Sequence, residues 1–327
     1  MRIFVTGGSG FLGQRLIRRL VAEGHEVTGL ARSEEAAGRV TSAGARAVQG
    51  SLNDILQWSP ALDGQDILVH AASPIDVWGR WSVFRRDVVD ATLQLYEVAA
   101  ERRVKRFIHI SSESVLQDRA PLLDIDETAP YPAEPNSLYG KAKKLAEEGL
   151  VAHARDTTLI ILRPAFIWGP GDSQLSQLLA RIRDGRFVWV DQGRAIMDMS
   201  HVDNVVEAVR LAMNHGMHKR IYYVTDDDPM PVREFLGSLI EALGYDVPTR
   251  NVPLAVVKPL APLVEGVWRL LERRDAPPLS RFQLDFVALP RRYRLDRIKH
   301  DLGYRPVIGF AQGLRDLAAR TPPEMSP

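Results

Sequence analysis

The stretch Leu138-Tyr139-Gly140-Lys141-Ala142-Lys143-Lys144 places a phenol and an ammonium four residues apart. On a helix, the side chains of Tyr139 and Lys143 project from one face. An ammonium beside a phenol favours the phenolate, so the spacing predicts a Tyr139 that titrates below the usual value of about 10. Such a group can exchange a proton with a substrate oxygen near neutral pH. The pair acquires a function only if the chain also builds a seat for a hydride carrier and a second donor to the same oxygen.

Residues 2–5 read as a short buried strand that runs into Thr6-Gly7-Gly8-Ser9-Gly10-Phe11-Leu12-Gly13. Leu12, Leu16, Ile17, Leu20 and Val21 then recur at helical spacing, up to Gly24. A strand, a glycine turn and a helix start form the arrangement that binds a dinucleotide pyrophosphate. The glycines let the backbone approach the phosphates, and the helix N-terminus supplies N–H donors. The spacing here, Gly7-x-x-Gly10-x-x-Gly13, departs from the standard fingerprint. At the end of the next strand, residues 26–31, an NAD-preferring chain carries an Asp or Glu for the ribose 2′-hydroxyl. Here stand Ala31, Arg32 and Ser33. A guanidinium grips a 2′-phosphate that a carboxylate would repel, so NADP(H) is expected in preference to NAD(H).

Further strands at 45–48, 66–69, 106–110 and 158–162 alternate with helices, the longest near 83–102. That alternation predicts an α/β fold, a doubly wound parallel (Rossmann) sheet with its ligand crevice at the strand C-terminal ends. Ala71 and Ala72, directly after a strand, suit a backbone lying close to a ligand. His70 reads as a packed histidine, because the alanines that follow offer it no acid partner. Ser112 falls on the same edge. The segment 116–137, with Pro121, Pro130, Pro132 and Pro135, predicts an ordered loop. Residues 1–165, rejoined by 198–226, form the expected nucleotide-binding domain, and 166–327 mainly a smaller substrate-binding domain.

The 327 residues are 45% hydrophobic and 25% charged, with a net charge of +1, which gives no general reason to expect nucleic acid as a partner. The chain has no cysteine, which excludes disulfides, thiolate metal sites and a cysteine nucleophile. No metal site is expected. The strand at residue 2 leaves no stretch that reads as a signal peptide, and a cytoplasmic location is expected. The apolar region 254–271 is interrupted by Lys258, Pro259, Pro262 and Glu265 and is too short to span a membrane. It suits contact with an apolar substrate, or equally a lid packed on its own domain.

Taken together, the glycine turn, Ser112, Tyr139-x-x-x-Lys143 and Arg163-Pro164 resemble an extended short-chain dehydrogenase/reductase of the epimerase/dehydratase superfamily. Ile167-Trp168-Gly169-Pro170-Gly171-Asp172, His201-Val202-Asp203-Asn204-Val205 and Leu302-Gly303-Tyr304-Arg305-Pro306 are similar to its 3β-hydroxysteroid dehydrogenase-like branch. The resemblance implies that Tyr139 is the catalytic acid/base, that Lys143 holds the nicotinamide ribose, and that Ser112 bonds the reacting oxygen. Ser112 is chosen over Ser111 and Ser114 because Val115 then falls at the family's offset. The implied cofactor contacts are Gly7, Gly10, Phe11, Leu12, Gly13, Arg32, Ser33, Ser51, Leu52, Ala71, Ala72, Tyr139, Lys143, Pro164 and Ile167. Relatives usually carry an acidic residue where Ser51 stands, and an Asn-Val-x-Gly-Thr motif where this chain reads Asp87-Val88-Val89-Asp90-Ala91.

The expected reaction is hydride transfer between nicotinamide and a carbonyl or secondary alcohol of a largely apolar small molecule. A nucleotide-sugar epimerase or dehydratase shares the trio, but many such relatives have an asparagine where Phe166 stands. A non-enzymatic dinucleotide-sensing regulator would have no need of Ser112, Tyr139 and Lys143. The helices near 83–102 and 138–154 leave room for a homodimer.

Overall fold

The structure, a computed structural model, describes residues 1–74, 78–153, 155–273 and 275–320. Seven parallel strands form the main sheet: β1 (Arg2–Thr6), β2 (Glu26–Ala31), β3 (Arg46–Gln49), β4 (Ile67–His70), β5 (Arg106–Ile110), β6 (Thr158–Pro164) and β7 (Arg220–Val224), in the order β7-β6-β5-β4-β1-β2-β3. Because successive side chains alternate sides, each apolar strand feeds two cores. Ile3, Val5, Ile67, Val69, Ile108 and Ile110 pack with Leu16, Ile17 and Leu20 of the helix Phe11–Ala22. Phe4, Leu68, Phe107 and Ile161 pack on the other side with Leu95 and Tyr96 of the helix Ala91–Glu101. The strand order reverses between β1 and β4, which opens a crevice at their C-terminal ends.

Most of the chain after β6 builds a second body around Trp168, Trp189, Met197, Phe235 and Leu239. Trp168 meets Phe235 edge-on at 5.5 Å, and Phe166 meets Phe286 in the same way at 5.5 Å. Its four-stranded sheet corrects one expectation. Residues 116–137 are not all loop, because Leu122–Ile125 forms a strand paired in parallel with Arg291–Tyr293. The partner lies far downstream, so no local pattern of turn residues could reveal the pairing. The helix expected near 83–102 begins at Trp81 and widens to a π-turn over Arg85–Asp90 before continuing as Ala91–Glu101. Along this widened stretch Phe84, Val88 and Val89 pack against Ala142 and Tyr139. Such bulges recur beside functional sites.

The stretch His201-Val202-Asp203-Asn204 is a structural joint. Asn204 donates to Asp226 at 2.7 Å and to the Ile308 carbonyl at 2.8 Å, and it accepts from the Val307 and Ile308 amides. Asp203 accepts two hydrogen bonds from Arg15, at 2.7 and 2.8 Å. One short motif thereby ties the C-terminal segment and the first helix to the sheet. Among the described residues no helix is long and apolar enough to cross a membrane.

Candidate active site

The turn after β1 is built for close approach. Gly7 has φ +73°, and a Cβ there would lie 2.7 Å from the Ala72 amide nitrogen. At Gly13 a Cβ would collide with the Gly7 carbonyl, so the turn and the helix behind it close up only with glycine at both ends. The Gly10 amide donates to the Gly7 carbonyl at 3.0 Å. Gly10 starts the helix Phe11–Ala22, which has no side-chain cap and no acidic residue in its first turn. Its free N–H groups and positive dipole end are left for an anion, which fits a dinucleotide pyrophosphate. Gly7, Gly10, Phe11, Leu12, Gly13, Ala71 and Ala72 therefore gather at one sheet edge.

Beyond β2, Arg32 is exposed, and Ser33 caps the next helix by accepting from the Ala36 amide at 3.2 Å. Sequence reading missed Arg39, whose Nε donates to the Ser9 carbonyl inside the glycine turn at 3.2 Å. The available signal was its place two turns into the helix that Ser33 starts. Ser51 accepts from the Asn53 amide at 3.2 Å through its hydroxyl and from the Trp58 indole at 2.7 Å through its carbonyl. Leu52 packs on the adjoining core. Pro164 is buried at the end of β6, and Ile167 lies on a short strand paired with Met199–His201.

Tyr139 and Lys143 lie on the helix Leu138–Ala152, started by Ser137, whose hydroxyl accepts from the Gly140 amide at 3.0 Å. Lys143 is 2% exposed and donates to the Ile110 carbonyl at 2.8 Å. Burial lowers its pKa to about 8, against the opposing pull of Glu147 one turn further on. The ammonium stands 5.9 Å from the centre of the Tyr139 ring. The expectation of a lowered phenol pKa is overturned. Desolvation pushes Tyr139 up to about 12, and the hydroxyls that face it from Ser73 and Ser112 pull it back only in part. The ammonium is spent on a carbonyl, and removing water costs the phenolate more than its neighbours return.

Ser112 is half-buried and caps a short turn by accepting from the Ser114 amide at 3.2 Å. Ser111 and Ser114 are buried, and their hydroxyls have no hydrogen-bond partner among the described residues. Of these three serines, Ser112 is the one that faces the phenol. Ser73 was missed. Its Oγ is shut off from solvent and makes no hydrogen bond of ordinary geometry, yet it faces Tyr139. The signal lay in its place as the first hydroxyl after β4. His70 is a packed residue, bridging Thr6 at 2.7 Å and Thr92 at 2.9 Å. Burial lowers its pKa to about 3 and keeps it neutral.

Behind this cleft, Glu147 and Arg163 form a buried ion pair at 2.6 Å, to which Tyr131 donates a further hydrogen bond at 2.6 Å. The guanidinium lies over the rings of Tyr131 and Tyr223, at 5.1 and 5.5 Å. Glu113, next to Ser112, accepts from Tyr293 at 2.5 Å and from Gln117 at 2.6 Å.

A parallel sheet with a glycine turn at its switch point and a tyrosine–lysine helix on the same edge defines an NAD(P)-dependent dehydrogenase or reductase of the extended short-chain type. The profile of the NAD dependent epimerase/dehydratase family matches residues 3–225, and the chain belongs to that family. It is 37% identical over 324 residues to a 4-hydroxy-2-methyl-3-oxo-4-farnesyl-3,4-dihydroquinoline-1-oxide ketoreductase of Stigmatella aurantiaca, covering 98% of this chain and 97% of that one. It is 32% identical over 330 residues to a 2-alkyl-3-oxoalkanoate reductase of Stenotrophomonas maltophilia, covering 98% and 99%. Among solved structures, gox2253 superposes with a TM-score of 0.81 at 24% identity, covering 97% of both chains. A UDP-glucose 4-epimerase from Thermotoga maritima superposes with a TM-score of 0.77 at 22% identity, covering 98% of both. At these identities the structural matches establish the fold alone.

Proposed function

We propose that this protein is an NADPH-dependent ketoreductase acting on a largely apolar 3-oxo or 3-hydroxy substrate. The observation that carries the reading is the Tyr139 phenol, faced by two hydroxyls from separate segments and lying one turn before a buried ammonium. The two similar reductases named above act, by their names, on a farnesylated ring ketone and on 2-alkyl-3-oxoalkanoates, each of which carries an alkyl or prenyl chain. Their similarity spans nearly the full length of all three chains.

When bound, the dinucleotide supplies or accepts the hydride. Gly7, Gly10, Phe11, Leu12 and Gly13 would hold its pyrophosphate at the helix N-terminus, with Ala71 and Ala72 beside them. Arg32, Ser33 and Arg39 would receive a 2′-phosphate, and Ser51 and Leu52 would serve the base. Pro164 and Ile167 would serve the nicotinamide end. Lys143, fixed by the Ile110 carbonyl, would present its charge to the nicotinamide ribose. Ser112 donates to the substrate oxygen as negative charge develops there, and Tyr139 delivers the proton. A phenol held at about 12 remains protonated at neutral pH, which is the form a proton donor needs. A reduced NADP pool would favour the reductive direction, while the residues themselves serve either one. Residues 166–327 mainly shape the substrate side. There a cavity of about 240 Å³ has a mixed lining, with Phe166, Leu175, Leu178, Leu236 and Phe286 on its apolar side and Asp172, Gln174, Gln177, Arg181 and Gln283 on its polar side.

Phe166 argues against a nucleotide-sugar substrate. It is packed edge-on against Phe235 and Phe286, with no polar group to offer a base or a diphosphate. The deciding assay follows NADPH absorbance with 2-alkyl-3-oxoalkanoates and cyclic ketones, and product formation by chromatography with UDP-sugars, whose epimerisation or dehydration would return the cofactor unchanged. Consumption with the apolar ketones is expected. Turnover confined to UDP-sugars, or cofactor binding with no turnover at all, would overturn the reading.

A further inference from the structure

The helix Leu260–Leu270 is inside out. Its inner side carries Ala261 and a buried carboxylate, Glu265, which accepts hydrogen bonds from the Arg281 amide at 2.7 Å and from its guanidinium at 2.8 Å. Its outer side carries Leu260, Leu263, Val267 and Leu270, with Leu271 just beyond. At helical spacing these five fall within one arc of about 100°. All are exposed, Leu263 at 66% and Leu270 at 83%. An ordinary surface helix turns such an arc toward the core and its carboxylates toward water. Here packing has done the reverse. Of the twelve large apolar residues exposed among the described residues, six (these five and Val256) lie in this one segment. It is therefore neither a lid sealed onto its own domain nor the wall of a closed substrate site.

What surrounds the arc identifies the occupant. Lys258, Arg80, Arg269 and Arg273 border it as exposed cations, against two carboxylates, Glu272 and Asp275. Arg269 lies over the Trp78 ring at 5.6 Å, and Arg273 over the Trp268 ring at 5.6 Å. An apolar face rimmed by arginine and tryptophan is the make-up of a helix that rests in the headgroup layer of a bilayer. An excess of cations complements anionic headgroups. The Trp78 indole, which donates to the Arg273 carbonyl at 3.2 Å, adds a second tryptophan to the rim.

We propose that the face formed by Leu260, Leu263, Val267, Leu270 and Leu271 docks this enzyme, without spanning, onto an anionic lipid surface. A substrate dissolved in the membrane would then be met at that surface. The use of the surface rests on the apolar-substrate reading; the docking itself does not. The test is flotation of the full chain with vesicles of phosphatidylcholine alone and with phosphatidylglycerol admixed. Binding to the mixed vesicles and weaker binding to the neutral ones are expected. The double variant Leu263→Glu, Leu270→Glu should lower the bound fraction by about tenfold or more at an unchanged melting temperature, because both side chains point into solvent. Arg269→Glu should abolish the preference for the anionic vesicles. A wild-type chain that floats with neither vesicle overturns the proposal, as does a double variant that floats like wild type. So does a wild-type dimer that the double variant converts to monomers, since the face would then be a self-interface. Reduction of a water-soluble ketone without vesicles keeps the two readings apart. Flotation lost with that turnover intact sinks only the docking, and turnover absent with flotation intact sinks only the reductase.

Discussion

One helix carries two buried polar clusters with opposite degrees of satisfaction. At its middle, Glu147 is held by Arg163 and Tyr131, and Arg163 lies between two aromatic rings. At its start, Tyr139 is faced by Ser73 and Ser112, and the Ser73 hydroxyl makes no hydrogen bond of ordinary geometry. The first cluster is complete without a ligand. The second is half-buried and has hydrogen-bonding capacity left over among the described residues, at the enclosed Ser73 hydroxyl. Buried polar groups are normally paired, because an unpaired one costs roughly 1–3 kcal/mol. A cluster left open at that cost is a place where the partner arrives from outside.

The contrast can be broken from either side. Replacing Arg163 with Met strands a fully buried carboxylate. It should cost about 3–5 kcal/mol of stability, read by denaturant unfolding, or prevent soluble expression. A variant as stable as wild type would show that the inner cluster is dispensable. Tyr139→Phe should do the opposite, lowering turnover by roughly 10²–10⁴-fold while the melting temperature and NADPH binding stay near wild type. Wild-type turnover in that variant would remove Tyr139 from the chemistry.

Ser73 sharpens the comparison, because two other unpartnered serines serve as controls. Ser73→Ala should lower kcat by about tenfold, since a donor near the oxygen is lost, and should move the alkaline limb of the kcat profile upward. Ser114→Ala removes a hydroxyl that bonds nothing, and should leave both unchanged. Equal effects of the two variants would dissolve the distinction.

The smallest effect is a pH dependence. Lys143 titrates at about 8 when folded, against 10.5 in the open chain. Between these values the unfolded chain holds the extra proton, so this residue makes stability rise with pH from about 8 to about 10.5. Over the same rise the folded ammonium discharges, and NADPH binding, followed by nicotinamide fluorescence, should weaken above pH 8. Lys143→Met should flatten both curves. A wild-type dissociation constant unchanged across that window would show that the charge plays no part in holding the cofactor.

The parallel sheet was legible because its strands are apolar runs separated by helical periodicity, a pattern carried by neighbouring residues. The glycine turn and the tyrosine–lysine helix were legible for the same reason, whereas Ser112 was chosen through the family's offset to Val115. The strand Leu122–Ile125 was hidden, since its partner stands at Arg291–Tyr293. Ser73 was hidden too, because nothing in Ala71-Ala72-Ser73 states that a phenol from residue 139 will come to face it. The helix Leu260–Leu270 shows the limit most plainly. Its composition marked an apolar region but could not say which side would meet the protein.

By itself the chain determined the fold class, the glycine turn and the helix that carries Tyr139 and Lys143, since each is written in contiguous residues through backbone geometry and periodic burial. Only the tertiary structure decided that Tyr139 holds its proton more tightly than an exposed phenol, that Arg39 reaches the glycine turn, and that a leucine face looks outward. Proton affinity and exposure depend on how much water is removed and on which distant groups replace it, and both are set when remote segments pack together.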